Sequence, residues 1–262
     1  MSNHSEMQQY IVDSYDKLFD RPEVAEFYDQ SQFLNFGCWD ESTHNQREAS
    51  ENLVERLLSF IPDKKGKILD VACGQGETTA YVANYFPPEN ITAINISEKQ
   101  LVAARKRAPG STFLYMSATE LDFPDESFDN IICVEAAFHF YTREQFFSEA
   151  LRVLKPGGRL VLSDILVTME RERVQLSRVE ENYVENPEAY QKIFERNGFS
   201  EVQVVDATRE SWTLYCWSVI KYFHQKLMDK EITVTQMQQL LEPTYKRLEF
   251  ITYYLHACGY KA

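Results

Sequence analysis

The chain has 262 residues, 44% of them hydrophobic and 26% charged, enough for one large α/β domain or a domain with a small lid. Its 27 Lys and Arg against 40 Asp and Glu give a net charge of −13, and no basic run relieves that acidity, which argues against a nucleic-acid partner. No apolar stretch reaches the ~20 residues that span a bilayer, and the polar N-terminus MSNHSEMQQY lacks a secretory leader plan, so a cytoplasmic chain without a membrane partner is expected.

In chain order, residues 5–19 set Met7, Tyr10, Ile11, Tyr15, Leu18 and Phe19 on one helical stripe. Thr43 and Gln46 have the spacing of a capping box before a second amphipathic run that ends near Phe60. Between them, QSQFLNFGCWDES has no clear period and reads as a structured loop.

From Lys67 the texture changes to short apolar runs, KILDVAC, NITAINI, TFLYMS, FDNIICVEA and GRLVLSDIL, alternating with helical segments. This is the pattern of a βαβ series around a parallel sheet buried on both faces. Ser97 with Gln100 and Thr142 with Gln145 have capping-box spacing, and Pro156-Gly157-Gly158 turns the chain into the fifth strand. Asn186, Pro187 and Gly198 delimit a further helix, and EVQVVDA follows as a strand. Residues 212–227 then carry one apolar stripe, a second helical stretch contains Pro243, and FITYYLHA reads as the last strand. Two helices are thus inserted before the final strand, where they could cover the carboxyl edge of the sheet as a lid. The domain reading is a helical cap at 1–62, a core at 63–210, a helical lid at 211–248 and the core's final strand at 249–262.

Five widely spaced cysteines without CxxC or CxxH spacing indicate neither a disulfide framework nor a metal site. HExxH, GxxxxGK[ST] and GxSxG are absent. Ligands of open α/β sheets sit outside the carboxyl ends of the strands, and the first strand ends in Asp70-Val71-Ala72-Cys73-Gly74-Gln75-Gly76. A dinucleotide fingerprint would need glycine at 72, 74 and 77, where this chain has Ala72, Gly74 and Glu77. Glu77 also puts negative charge at the start of the next helix, where a pyrophosphate would sit.

ILDVACGQGETT, FPDESFDNIICVEAAFHF and EALRVLKPGGRLVLSDIL, in this order and spacing, resemble the motifs of the class I S-adenosylmethionine-dependent methyltransferases. The likeness is greatest to small-molecule O-methyltransferases of natural-product pathways, of the erythromycin and rebeccamycin kind. It extends to Asn35-Phe36-Gly37-Cys38-Trp39, to the INIS end of the second strand and to the inserted helices. The resemblance implies a doubly wound, mostly parallel seven-stranded sheet of Rossmann-like form, with S-adenosylmethionine as cofactor and a small-molecule acceptor. It implies transfer to oxygen, with transfer to carbon or nitrogen, or a cyclase or binding protein on the same fold, as alternatives. The chain is expected to be a monomer or homodimer.

Residue by residue, the resemblance implies cofactor contacts from Trp39, Asp70, Ala72, Gly74, Gly76, Asn95, Ile96, Gln100, Ser117, Ala118, Thr119 and Glu135, and no metal. Asn95 stands where most relatives have an acidic ribose ligand, Ala72 where they have glycine, and Ser117-Ala118-Thr119 where GDA is usual. Ser97 and Gln100 could be only a cap, Asp70 an Asx-type cap, and Glu135 an orderer of loop amides. His139 is the candidate general base, since imidazole is suited to accept a hydroxyl proton near neutral pH. Asp164 would fix its tautomer or else cap a turn. Tyr28, Phe36, Phe138 and Trp217 are candidates to line the acceptor; for Tyr28 the preferred reading is cap core, and Trp217, off its helix's stripe, could pack on a neighbour.

Overall fold

The computed structural model describes residues 3–174 and 180–262. Three helices precede the sheet: α1 (Asn3–Phe19), α2 (Pro22–Phe27) and α3 (Gln46–Leu58). The core then runs β1 (Ile68–Val71), α4 (Glu77–Val82), β2 (Ile91–Asn95), α5 (Glu98–Arg107), β3 (Thr112–Tyr115), β4 (Phe128–Val134), α6 (Arg143–Val153) and β5 (Leu154–Val167). After it come α7 (Met169–Val174), α8 (Pro187–Arg196), β6 (Ser200–Asp206), α9 (Leu214–Met228), α10 (Val234–Leu248) and β7 (Ile251–Tyr260).

The seven strands lie in the order β3-β2-β1-β4-β5-β7-β6. Strands β1 to β5 pair in parallel, and β7 inserts antiparallel between β5 and β6. The winding direction reverses between β1 and β4, so the crevice at their carboxyl ends is where such a sheet receives a ligand.

Alternation along the strands separates two cores. Ile68, Ile132, Val161 and Ile165 face α3 and the α9–α10 pair. Leu69, Ile131, Leu160 and Leu162 face α6 and α8. Burial on both faces is why these strands read as continuous apolar runs in the sequence.

Ser97, Thr142 and Asn186 cap α5, α6 and α8 as the spacing implies, each side chain accepting the backbone N–H three residues on. The Thr43–Gln46 expectation is corrected. Thr43 Oγ1 donates to Asp40 Oδ1 at 2.9 Å and accepts from the Asp40 N–H at 3.1 Å, which commits it to the preceding turn. Asn45 caps α3 instead, accepting from the Glu48 N–H at 2.9 Å. Gln46 is buried and donates to the Asn35 carbonyl at 3.0 Å.

The helical segment expected from 212 starts earlier, as one π-helical stretch over Thr208–Thr213 that leads into α9. Helix α10 continues past Pro243 to Leu248. No helix among the described residues is long and apolar enough to cross a membrane.

Candidate active site

The turn after β1 is built on left-handed backbone. Ala72 (φ 61°), Gly74 (φ 54°) and Gly76 (φ 85°) all take positive φ, a region that disfavours side chains with a Cβ. That places Ala72 in a conformation for which glycine is the easier choice. The two glycines serve different ends. A Cβ on Gly76 would stand 2.9 Å from the Cα and Cβ of Ala104 on α5, so this glycine lets α4 start against α5. A Cβ on Gly74 would meet only Phe19 at 3.8 Å and Gln100 Oε1 at 3.9 Å. Gly74 therefore opens the turn toward a cavity.

That cavity, about 1220 Å³ counted to its open mouth, lies over the carboxyl ends of β1, β2 and β4. Asp70, Ala72 and Gly74 line it from the first turn, and Asn95, Ile96 and Gln100 from the second. Ser117, Ala118, Thr119 and Glu135 close its far side. Helix α1 forms the roof with Met7, Gln8, Ile11, Val12 and Tyr15. Its grip is polar as well: Gln8 Nε2 donates to Ser117 Oγ at 3.3 Å, and Asp16 accepts from Ser97 and Gln100. Asp70 is buried and accepts the Thr79 hydroxyl at 2.6 Å. Burial pushes its carboxyl up to about 7 against that hydrogen bond.

A second cavity of about 1360 Å³ is lined by Tyr28, Phe36 and Phe138 together with Tyr215 and Val219 of α9 and Leu240 of α10. Tyr15, Leu34, Glu135 and His139 border both cavities. His139 Nε2 is 2.8 Å from the Tyr15 hydroxyl, with the Phe138 ring centred 4.1 Å from the imidazole. Tyr28 donates its hydroxyl to the Asn35 carbonyl at 3.0 Å, and Phe36 stacks on Tyr215 at 4.5 Å.

Glu135 follows β4 in left-handed backbone (φ 47°). Its Oε1 accepts the Phe36 N–H at 2.6 Å and the Tyr254 hydroxyl at 2.5 Å, joining the aromatic loop, the sheet and the cavity junction. Burial pushes its carboxyl up to about 8 from an ordinary 4.5, although both donors pull the other way. Between those values the folded chain keeps a proton that the unfolded chain has lost, so this group's contribution to stability is progressively lost as pH rises. Glu135→Gln keeps an acceptor for both donors. Its denaturation midpoint is expected to gain on the parent's as pH goes from about 5 to about 8. Parallel pH profiles for the two chains would contradict the assignment.

Four expected site residues stand elsewhere. Asp164 is fully buried on the face of β5 that meets α6 and α8, where it accepts from Arg143 Nε at 2.6 Å and from the Tyr190 hydroxyl at 2.8 Å. It does not touch His139 and lines neither cavity, so tautomer fixing is not its task. Trp217 is 62% exposed on the outer face of α9, away from the acceptor side. Trp39 lines neither cavity; its indole N–H donates to the Phe36 carbonyl at 3.0 Å. Gly76 packs on α5, as described. Tyr15 and Asp16 are the residues that sequence reasoning did not single out for chemistry, although Tyr15 lay on the recognised stripe of α1.

All five cysteines are free thiols. Among the described residues no group of three or more His, Cys, Asp or Glu is placed to hold a metal ion.

Residues 69–162 match the family described as a methyltransferase domain. The chain is 33% identical over 208 residues to the 27-O-demethylrifamycin SV methyltransferase of Amycolatopsis mediterranei, covering 72% of this chain and 76% of that one. It is 28% identical over 226 residues to the erythromycin 3''-O-methyltransferase of Saccharopolyspora erythraea, covering 77% and 71%. Among solved structures, the [4+2]-cyclase SpnF superposes with a TM-score of 0.70 over 97% of this chain and 96% of that one at 20% identity, a likeness of fold.

Proposed function

The chain belongs to the class I S-adenosylmethionine-dependent methyltransferases of the natural-product kind, and from that premise we propose that it methylates a hydroxyl of a small-molecule acceptor with His139 as general base. The observation that carries this reading is the position of His139, on the border of two cavities and hydrogen-bonded to Tyr15.

The residues present suit the cofactor. A glycine turn with space for close approach, a hydrogen-bonding strand end at Asn95 and Gln100, and polar groups at Ser117 and Thr119 line one cavity. When bound there, S-adenosylmethionine supplies an already activated methyl group, so the protein's part is alignment, exclusion of water and proton removal. Asp70, Ala72, Gly74, Asn95, Ile96, Gln100, Ser117, Ala118, Thr119 and Glu135 are assigned to its side of the junction.

The second cavity is assigned to the acceptor, with Tyr28, Phe36 and Phe138 on its wall. Its lining also carries Arg171 and Arg247, neither of them in an ion pair among the described residues, together with Val219, Leu240 and Phe250. An acceptor with an apolar body and an oxygen-rich or acidic end fits that lining. The segments 1–62 and 211–248 act as cap and lid over the 63–210 core, with 249–262 completing the sheet.

At the junction Tyr15 takes the Nε2–H of the imidazole and orients the ring, so the acceptor's hydroxyl proton goes to Nδ1, which is buried in this structure and is uncovered as the acceptor enters. The acidic surface, −13 overall, and the roofed cavities favour a small molecule over a nucleic acid.

The test is incubation with methyl-¹³C-labelled cofactor and a panel of hydroxylated metabolites, read by NMR of the transferred methyl. An O-methyl resonance is expected. A C-methyl or N-methyl product would overturn the assignment to oxygen. Cofactor bound but never consumed, with an acceptor rearranged, would move the chain to cyclase-like use of the same fold.

A further inference from the structure

Among the bonds that tie helix α1 across the mouth of the cofactor cavity, two converge on one carboxylate. Asp16 Oδ1 accepts from the Ser97 hydroxyl at 2.9 Å and from Gln100 Nε2 at 2.7 Å. Gln100 Oε1 in turn accepts from Asn95 Nδ2 at 2.9 Å. Ser97, Gln100 and Asn95 are all buried, while Asn95 and Gln100 line the cavity.

An ionised carboxylate can only accept, whereas each side-chain amide has a donating and an accepting end. Asp16 therefore fixes the whole relay. Gln100 must turn its NH₂ to Asp16, its Oε1 must face Asn95, and Asn95 must answer with its own NH₂. Of the two amide oxygens, the one left over is Asn95 Oδ1, an acceptor at the end of β2. Without Asp16 either amide could rotate, and the strand end would offer a donor as readily as an acceptor.

We propose that Asp16 is a positioning residue for the cofactor's ribose: from the roof helix it sets the Gln100 and Asn95 amides so that Asn95 presents an acceptor oxygen to a ribose hydroxyl. The inference rests on the assignment of Asn95 and Gln100 to the cofactor. It gives α1 a role in ligand recognition beyond covering the cavity, and it lets a neutral strand end do the work of an acceptor-only group.

The test compares S-adenosylhomocysteine with its 2'-deoxyribose counterpart by calorimetry. The parent chain is expected to favour the hydroxylated ligand by about tenfold, and Asp16→Asn to reduce that preference to about twofold. Asp20→Asn, which breaks the 2.8 Å pair between Lys99 of α5 and Asp20 just past the end of α1, should keep the full preference, because it loosens α1 without touching the relay. Adding Asn95→Asp to Asp16→Asn should restore the preference, since a carboxylate at 95 accepts in any orientation. Equal weakening of both ligands by Asp16→Asn, or no rescue by Asn95→Asp, would overturn the proposal. A parent chain indifferent to the hydroxyl would overturn it at its premise, by removing Asn95 and Gln100 from the ribose whatever Asp16 does.

Discussion

Replacement of His139 by glutamine is expected to lower turnover by about 10²–10⁴-fold, the usual contribution of a positioned general base, while S-adenosylhomocysteine affinity stays within about twofold. Glutamine can keep a hydrogen bond to Tyr15 and fill much of the ring's space, but its amide takes up no proton in the working pH range. The loss would therefore report proton transfer and not a collapsed site. Tyr15→Phe removes the 2.8 Å contact to Nε2 and leaves the imidazole in place against Phe138. It should cost roughly tenfold in kcat, a share consistent with orientation of the base and not with its chemistry. If His139→Gln retains turnover within about threefold of the parent, the base role fails. Glu135, the carboxyl group on the border of both cavities, would then be the side chain to replace.

The parts of this protein that were legible in its sequence are those fixed by local chemistry or by topology. Strands buried on both faces announce themselves as apolar runs, and Asn186-Pro187 with Gly198 mark both ends of α8 because each residue type suits one position only. The turn after β1 and the residues at 95–100, 117–119 and 135–139 were legible because a doubly wound sheet directs its strand ends to one edge. Thr43 was misread because the Asp40 turn, invisible in a spacing argument, claimed its hydroxyl, and Asn45 two residues on took the cap. The stripe on α1 showed that a face is buried but not against what. The contacts Tyr15–His139 and Asp16–Gln100 span 124 and 84 residues, so no local pattern encodes them.

Asp164 and Trp217 went astray for a different reason, since their facing could be read from periodicity. Along β5, Asp164 has the parity of Leu160, Leu162 and Leu166, which belong to the core under α6 and α8. Val161, Ile165 and Val167 belong to the opposite core. The intervening Ser163 accepts the Glu135 N–H at 3.1 Å, so its neighbour must point away from the cavity junction. Trp217 misses the stripe of Tyr215, Cys216, Val219 and Phe223 on α9, and a residue off the stripe of a half-buried helix faces solvent.

Asp164 consequently carries the second large expectation, and it concerns stability. The Arg143 side chain is 3% exposed and Asp164 is 0% exposed. Around them Arg143 donates to Asp164 at 2.6 Å, to the Asn182 carbonyl at 2.5 Å and to the Ile165 carbonyl at 3.0 Å. Asp164 takes the Ile165 N–H at 2.8 Å and the Tyr190 hydroxyl at 2.8 Å. The pair thus stitches the start of α6 to β5 and α8, with each of the three guanidinium nitrogens directed at an acceptor. Deleting one partner leaves a buried charge uncompensated, which costs about 3–5 kcal/mol and, for a chain of this size, lowers the melting temperature by about 10 °C. Asp164→Ala should show that drop while its folded fraction, assayed well below the transition, retains turnover within a few-fold of the parent. Arg143→Met combined with Asp164→Leu should recover part of the loss, because apolar replacement of a whole buried pair is far milder than breaking it. A variant at 164 that melts with the parent yet fails to turn over would return Asp164 to the chemistry and make its burial under α6 and α8 the observation in need of another cause.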